Sequence, residues 1–153
     1  MELYVVTYVV FDDLVRDKIL EKFHESYANN YSLGFLMGER KGVVHEYRRD
    51  DTLTIKDIVI PAQDTTNTGA TISPHIVHEF ITNLKKKENL NEFIGIMLYT
   101  GNQFPKERTT FLESLKNLID ITGQNLTGII TNERDETLTI KNSGSSWLYT
   151  QNF

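Results

Sequence analysis

The sequence predicts a single α/β (α+β) domain, residues 1–153, in which a mixed β-sheet is flanked by helices. Three observations carry that expectation. Strand-like and helical runs alternate along the chain, strands recur in pairs between the helices, and no repeat, linker or low-complexity tract divides it. A chain of 153 residues also has the usual length of one domain and can bury a sizeable core.

Residues 3–10 are dense in β-branched and aromatic side chains and read as a strand. Asp12 then stands where an N-cap is needed. Phe11, Leu14, Val15, Ile19, Leu20, Phe23 and Tyr27 recur at helical spacing until Asn29-Asn30 breaks the pattern. Leu33-Gly34-Phe35-Leu36-Met37-Gly38 is a short apolar run suited to a buried strand. Residues 43–47 and 52–60 follow as further strands, with Arg49-Asp50-Asp51 as the turn between them. The polar stretch 61–69 reads as a loop. Ser73-Pro74 is a helix start, because Ser can cap and Pro fits the first helical position. Ile76, Val77, Phe80, Ile81 and Leu84 give that helix one apolar stripe. Residues 93–99 read as a central buried strand, and residues 101–105 as a loop. A third helix carries Phe111, Leu112, Leu115, Leu118 and Ile119 and ends near Gly123. Residues 126–131 and 137–141 suit a hairpin, and residues 147–149 a last strand.

Composition narrows the function classes. Hydrophobic residues are 39% and charged residues 24% of the chain, ordinary for a soluble domain. The net charge is −5 and the one dense basic run is Lys85-Lys86-Lys87, which complements a helix dipole without any partner. Nucleic acid is therefore not an expected direct ligand. With no cysteine, disulfides, thiolate metal sites and thiol nucleophiles are excluded. The first residues lack the pattern of a secretory signal, and no apolar run approaches the roughly 20 residues that span a bilayer. The expected location is cytoplasmic, with the nucleus also open, and no membrane partner is expected.

Three phrases, in order, resemble the MPN (JAB) domain and its cytidine deaminase-like architecture. Gly34-Phe35-Leu36-Met37-Gly38 resembles the family's Gly-x-Leu-x-Gly strand. Thr54-Ile55-Lys56-Asp57-Ile58-Val59-Ile60-Pro61 resembles the strand that runs into its Pro-containing loop, and Ile94-Gly95-Ile96-Met97-Leu98-Tyr99-Thr100-Gly101 the strand that delivers its metal-binding loop. The resemblance covers residues 3–141. Active members of the family are zinc peptidases acting on ubiquitin-like tags. They carry a Glu three residues before the first strand glycine, and then His-Ser/Thr-His-Pro, seven residues, Ser, two residues, Asp. Two imidazoles and a carboxylate hold zinc with one position open for water, and the Glu moves the proton.

In this chain the corresponding positions hold other residues. Tyr31 stands three residues before Gly34, Tyr99-Thr100-Gly101-Asn102 replaces the histidine motif, and Thr110 and Glu113 replace Ser and Asp. Counting from Gly95 instead puts Leu98 and Thr100 at the histidine positions, so neither register supplies an imidazole. The resemblance thus implies a pseudoenzyme with no cofactor and a degenerate site at Tyr31, Tyr99, Gly101, Thr110 and Glu113. The Thr-Gly pair is similar to that of the non-catalytic MPN subunits of translation initiation factor 3, the proteasome lid and the signalosome. It implies a scaffold or protein-interaction subunit whose partner is another MPN-domain protein, in a homo- or heterodimer, with a ubiquitin-like protein as a further partner. Phe23, Tyr27 and Tyr31 form an aromatic edge that is either the partner interface or packed inward.

Two rival readings stay open. His75 and His78, three apart beside Glu79, could hold a metal in a JAB-like hydrolase with a relocated site. The alternative is a ubiquitin- or peptide-binding module that kept the family's groove without catalysis. Gly34 and Gly38 are not a phosphate loop, because no Gly-Lys-Ser/Thr accompanies them.

Overall fold

A computed structural model of the chain describes residues 4–27, 30–103, 109–134, 137–143 and 146–152, with side chains described for 5–26, 30–103, 109–134 and 137. The elements run β1 (Tyr4–Val10), α1 (Asp13–Tyr27), β2 (Ser32–Val44), β3 (Arg48–Val59), β4 (Asp64–Thr65), β5 (Ala70–Thr71), α2 (Pro74–Lys86), β6 (Phe93–Tyr99), α3 (Thr109–Thr122), β7 (Thr127–Thr131), β8 (Thr137–Ser143) and β9 (Ser146–Asn152). Seven strands form one sheet in the order β1-β3-β2-β6-β7-β8-β9, and β4-β5 is a separate hairpin. The β1–β3 and β6–β7 pairs are parallel and the others antiparallel, so the sheet is mixed and carries helices, as expected.

Local chemistry explains most element ends. The Asp12 carboxylate accepts from the Val15 N–H at 2.8 Å and caps α1. Gly123, at φ 67°, ends α3, its N–H returning to the Ile119 carbonyl at 2.8 Å. Pro74 takes the first position of α2, but Ser73 makes no side-chain cap; its hydroxyl pairs instead with His75 Nδ1 at 2.8 Å.

One turn differs from expectation. Arg49-Asp50-Asp51 lies inside β3, and the hairpin reverses at His45, whose N–H meets the Arg48 carbonyl at 2.6 Å. The charged triplet tolerates a strand because Asp51, though buried, is paired with Arg49 at 2.9 and 3.2 Å and accepts from Asn125 Nδ2 at 2.9 Å. The stretch 61–69 is likewise not wholly loop, since it contains β4.

The sheet separates two apolar layers. On one face α1 sets Ile19 and Phe23 against Leu36, Leu53, Ile55, Ile58, Met97 and Tyr99. On the other, α2 and α3 set Ile81, Leu84, Phe111, Leu115 and Leu118 against Phe35, Phe93, Ile96 and Leu98. Two bulges keep both faces apolar. Met37 pairs with Asp57 and Gly38 with Ile55, leaving Lys56 extra; Leu36 pairs with Gly95 and Met37 with Phe93, leaving Ile94 extra. Each extra residue reverses the alternation, so Ile55 and Ile58 reach the same layer and Phe93 and Ile96 share the other.

At the first bulge, Lys22 Nζ of α1 donates to Asp57 Oδ1 at 2.8 Å. That hydrogen bond holds the Asp57 carboxyl below its ordinary range, against an opposing effect of burial. A depressed folded-state value contributes stability above the unfolded value, about pH 4, and loses it as pH falls through the folded one. Both side chains are more than a third exposed, which limits the pair to about 1 kcal/mol. Asp57→Asn is expected to destabilise by no more than that at pH 7, and the gap to the wild type should narrow steadily as pH falls below about 4, measured by urea denaturation across that range.

Candidate functional site

The β2 start, the β6 end, the β4-β5 hairpin and the N-terminal turns of α3 meet at one end of the sheet. Gln63 fixes the edge: its side chain accepts from the Leu33 N–H at 2.7 Å and donates to the Leu33 carbonyl at 2.8 Å, standing in for a strand neighbour. The Tyr31 N–H donates to the Thr66 carbonyl at 2.8 Å, which ties the hairpin region to β2. Between these elements lies a cavity of about 220 Å³ lined by Tyr31, Leu33, Leu98, Gln103, Thr110 and Ser114, among others. A larger cavity of about 430 Å³ adjoins it between α2 and α3.

The five candidate positions do not form one constellation. Tyr31 and Thr110 line the smaller cavity together. Tyr99 faces the other side of the sheet, stacked on Phe23 with centroids 5.3 Å apart and ring planes 7° apart. Strand alternation forces this: Leu33 pairs with Leu98 and Ser32 with Tyr99, so Leu98 shares the Tyr31 side and Tyr99 does not. Counted from Gly95, Leu98 lies in the cavity with Tyr31 and Thr110, while Thr100 lines neither cavity. Glu113 is exposed on α3 and is not a lining residue of either cavity.

The Thr-Gly pair has a local structural role. Thr100 is buried, its N–H donates to the Thr131 carbonyl at 3.0 Å and its hydroxyl to the Gln103 carbonyl at 2.5 Å. Gly101 follows at φ 64°, a left-handed conformation that favours glycine, and its carbonyl accepts from the Glu133 N–H at 2.7 Å. Burial raises the Tyr99 phenol above its ordinary pKa, with the Glu133 charge acting in the same direction.

Of the two readings of the aromatic edge, Phe23 and Tyr31 take the inward one. Phe23 is 0% exposed in the α1 layer and Tyr31 belongs to the opposite core cluster, so the two rings do not form one exposed edge. Both have apolar partners on their own sheet face, which outweigh exposure of a ring. The Tyr27 side chain lies outside the described residues.

The smaller cavity presents a phenol, hydroxyls and an amide, groups that hydrogen-bond but do not make a zinc site. His75 and His78 are engaged by Ser73 and Thr82, at 2.8 and 3.5 Å, and among the described residues no three His, Cys, Asp or Glu side chains gather as a metal site. Sequence reasoning missed a second polar cluster, where Asn125 also donates to the Thr7 hydroxyl at 2.8 Å. There Arg40 donates to the carbonyls of Phe93 and Asn125, and burial lowers the guanidinium pKa. These partners are far apart in sequence, so no spacing signals them. Among the described residues, no helix is long and apolar enough to cross a membrane. No protein-family model matches the sequence, and no curated protein is significantly similar to it.

Proposed function

We propose that this chain is a non-catalytic MPN (JAB) domain that acts as a protein-interaction subunit, pairing with another MPN protein in a larger assembly. The observation that carries the reading is the donor set. At the elements where the family's active members hold zinc, this chain has Tyr31, Leu98, Thr100, Thr110 and Glu113, and no imidazole stands among them in either register. A single carboxylate without imidazole partners does not retain a catalytic zinc.

Two surface features support a binding role. β6 pairs with β2 only as far as Met37, so residues 38–44 of β2 have a strand neighbour on one side alone among the described residues. At the tip of that ribbon Val44 is 68% and Tyr47 63% exposed. Open strand edges and exposed apolar side chains are sites where protein partners add. Size-exclusion chromatography with light scattering, combined with affinity capture from the native source, tests the proposal. A defined complex with an MPN protein is the expected result, and a monomer that captures no partner contradicts it.

The adjoining cavities favour a second reading, a peptide- or ubiquitin-binding module. Titrating ubiquitin into isotope-labelled protein distinguishes it: shifts confined to Leu33, Leu98 and Thr110 support it, and unchanged spectra dispose of it for ubiquitin.

A further inference from the structure

We infer that the groove between α2 and α3 is a docking site for a linear partner segment with apolar anchors and acidic side chains. The inference rests on the protein-interaction reading and adds the surface and the partner's chemistry. The groove's cavity of about 430 Å³ falls among ligand-binding clefts, which run from roughly 300 to 1,000 Å³. Leu33, Phe35 and Ile96 of the sheet form its apolar floor, and the two helices form its walls.

Charge selects the occupant. The chain carries 21 acidic residues against 16 basic ones, yet among the described residues no Asp or Glu lines this cavity. Among the described residues its ionisable lining is His78 and Lys85, both on the α2 wall. Lys85 opens the exposed run Lys85-Lys86-Lys87, which makes no ion pair among the described residues. On a protein of net charge −5, a groove whose described lining holds no carboxylate and which lies beside three lysines favours an acidic segment.

Length points to a segment rather than a compact molecule. The two cavities share Leu33, Ala70, Thr71, Thr110 and Ser114, so the opening continues from α2 past the hairpin toward Tyr31. Thr82, Ser114 and Asn117 along the walls offer hydrogen bonds to a partner backbone.

A random dodecapeptide library displayed on phage, selected against the immobilised chain, tests the inference; enriched peptides are then synthesised and titrated. The expected peptides combine aliphatic or aromatic residues with Asp or Glu, and weaken as salt rises. Lys85→Glu should reduce their affinity at least tenfold and Ser114→Trp, which fills the groove from an exposed helical position, should abolish binding while both variants keep the wild-type circular dichroism spectrum and a cooperative melt. No enrichment, a basic consensus, binding that neither substitution changes, or binding of decanoate without peptide binding would each overturn it. A native partner that binds wild type and Ser114→Trp equally removes the groove inference and leaves the interaction reading standing. No partner for wild type removes the interaction reading itself.

Discussion

Gly95→Ala is expected to cost about 3 kcal/mol or more, the upper range for overpacking a well-filled interior. A Cβ at Gly95 would lie 2.0 Å from the Thr127 carbonyl oxygen and 2.9 Å from its carbon. The obstacle is backbone, so no rotamer change relieves it, and the parallel β6–β7 pair must separate. Every residue of both strands is buried. For a domain of this size the cost corresponds to a fall in Tm of roughly 6–12 °C, measured by calorimetry or circular dichroism. Gly34→Ala is the internal control. Its nearest contacts are Cδ1 and Cγ1 of the Ile58 side chain, at 2.4 and 2.7 Å, which yield more readily than backbone. Its loss should be clearly smaller, and equal losses at the two positions would contradict the backbone-contact argument.

Phe23→Ala is expected to cost about 3–5 kcal/mol, the range for removing a buried aromatic side chain. The ring is fully buried, stacks on Tyr99, and joins α1 to β2, β3 and β6. Its removal leaves a cavity between α1 and the sheet, where rigid strands limit collapse. Such a loss is a large fraction of the 5–15 kcal/mol typical of a whole domain. Phe23→Leu should recover much of it. Urea denaturation checks both, and a Phe23→Ala loss under about 1 kcal/mol would mean that the ring is a surface contact after all.

These two positions also mark how far the sequence can be read. Phe23 was correctly assigned to the apolar stripe of a helix, but periodicity gives the stripe and not what covers it, so a partner and the protein's own sheet are equivalent until the sheet is seen. Gly34, Gly38 and Gly95 stood out as glycines in apolar strands. That each of the last two meets a neighbouring backbone carbonyl follows from bulges that pairing alone reveals. The buried run of β6 and the Asp12 cap are local signals and were legible for that reason. Arg49-Asp50-Asp51 misled because charge clusters usually mark turns, whereas here Asn125, 74 residues from Asp51, stabilises them within a strand. At the candidate site, counting residues gave the identities, but the one-residue uncertainty in register left open which sheet face each side chain occupied, and strand pairing decides it. Tyr99, paired with Ser32, lies on the face away from Tyr31.

The most direct test of the non-catalytic account is calorimetric titration of zinc chloride into the metal-stripped chain at neutral pH. The account predicts no stoichiometric uptake at micromolar zinc and no change when Glu113 or His78 is replaced by alanine. One zinc bound per chain with submicromolar affinity, lost on either substitution, would contradict it.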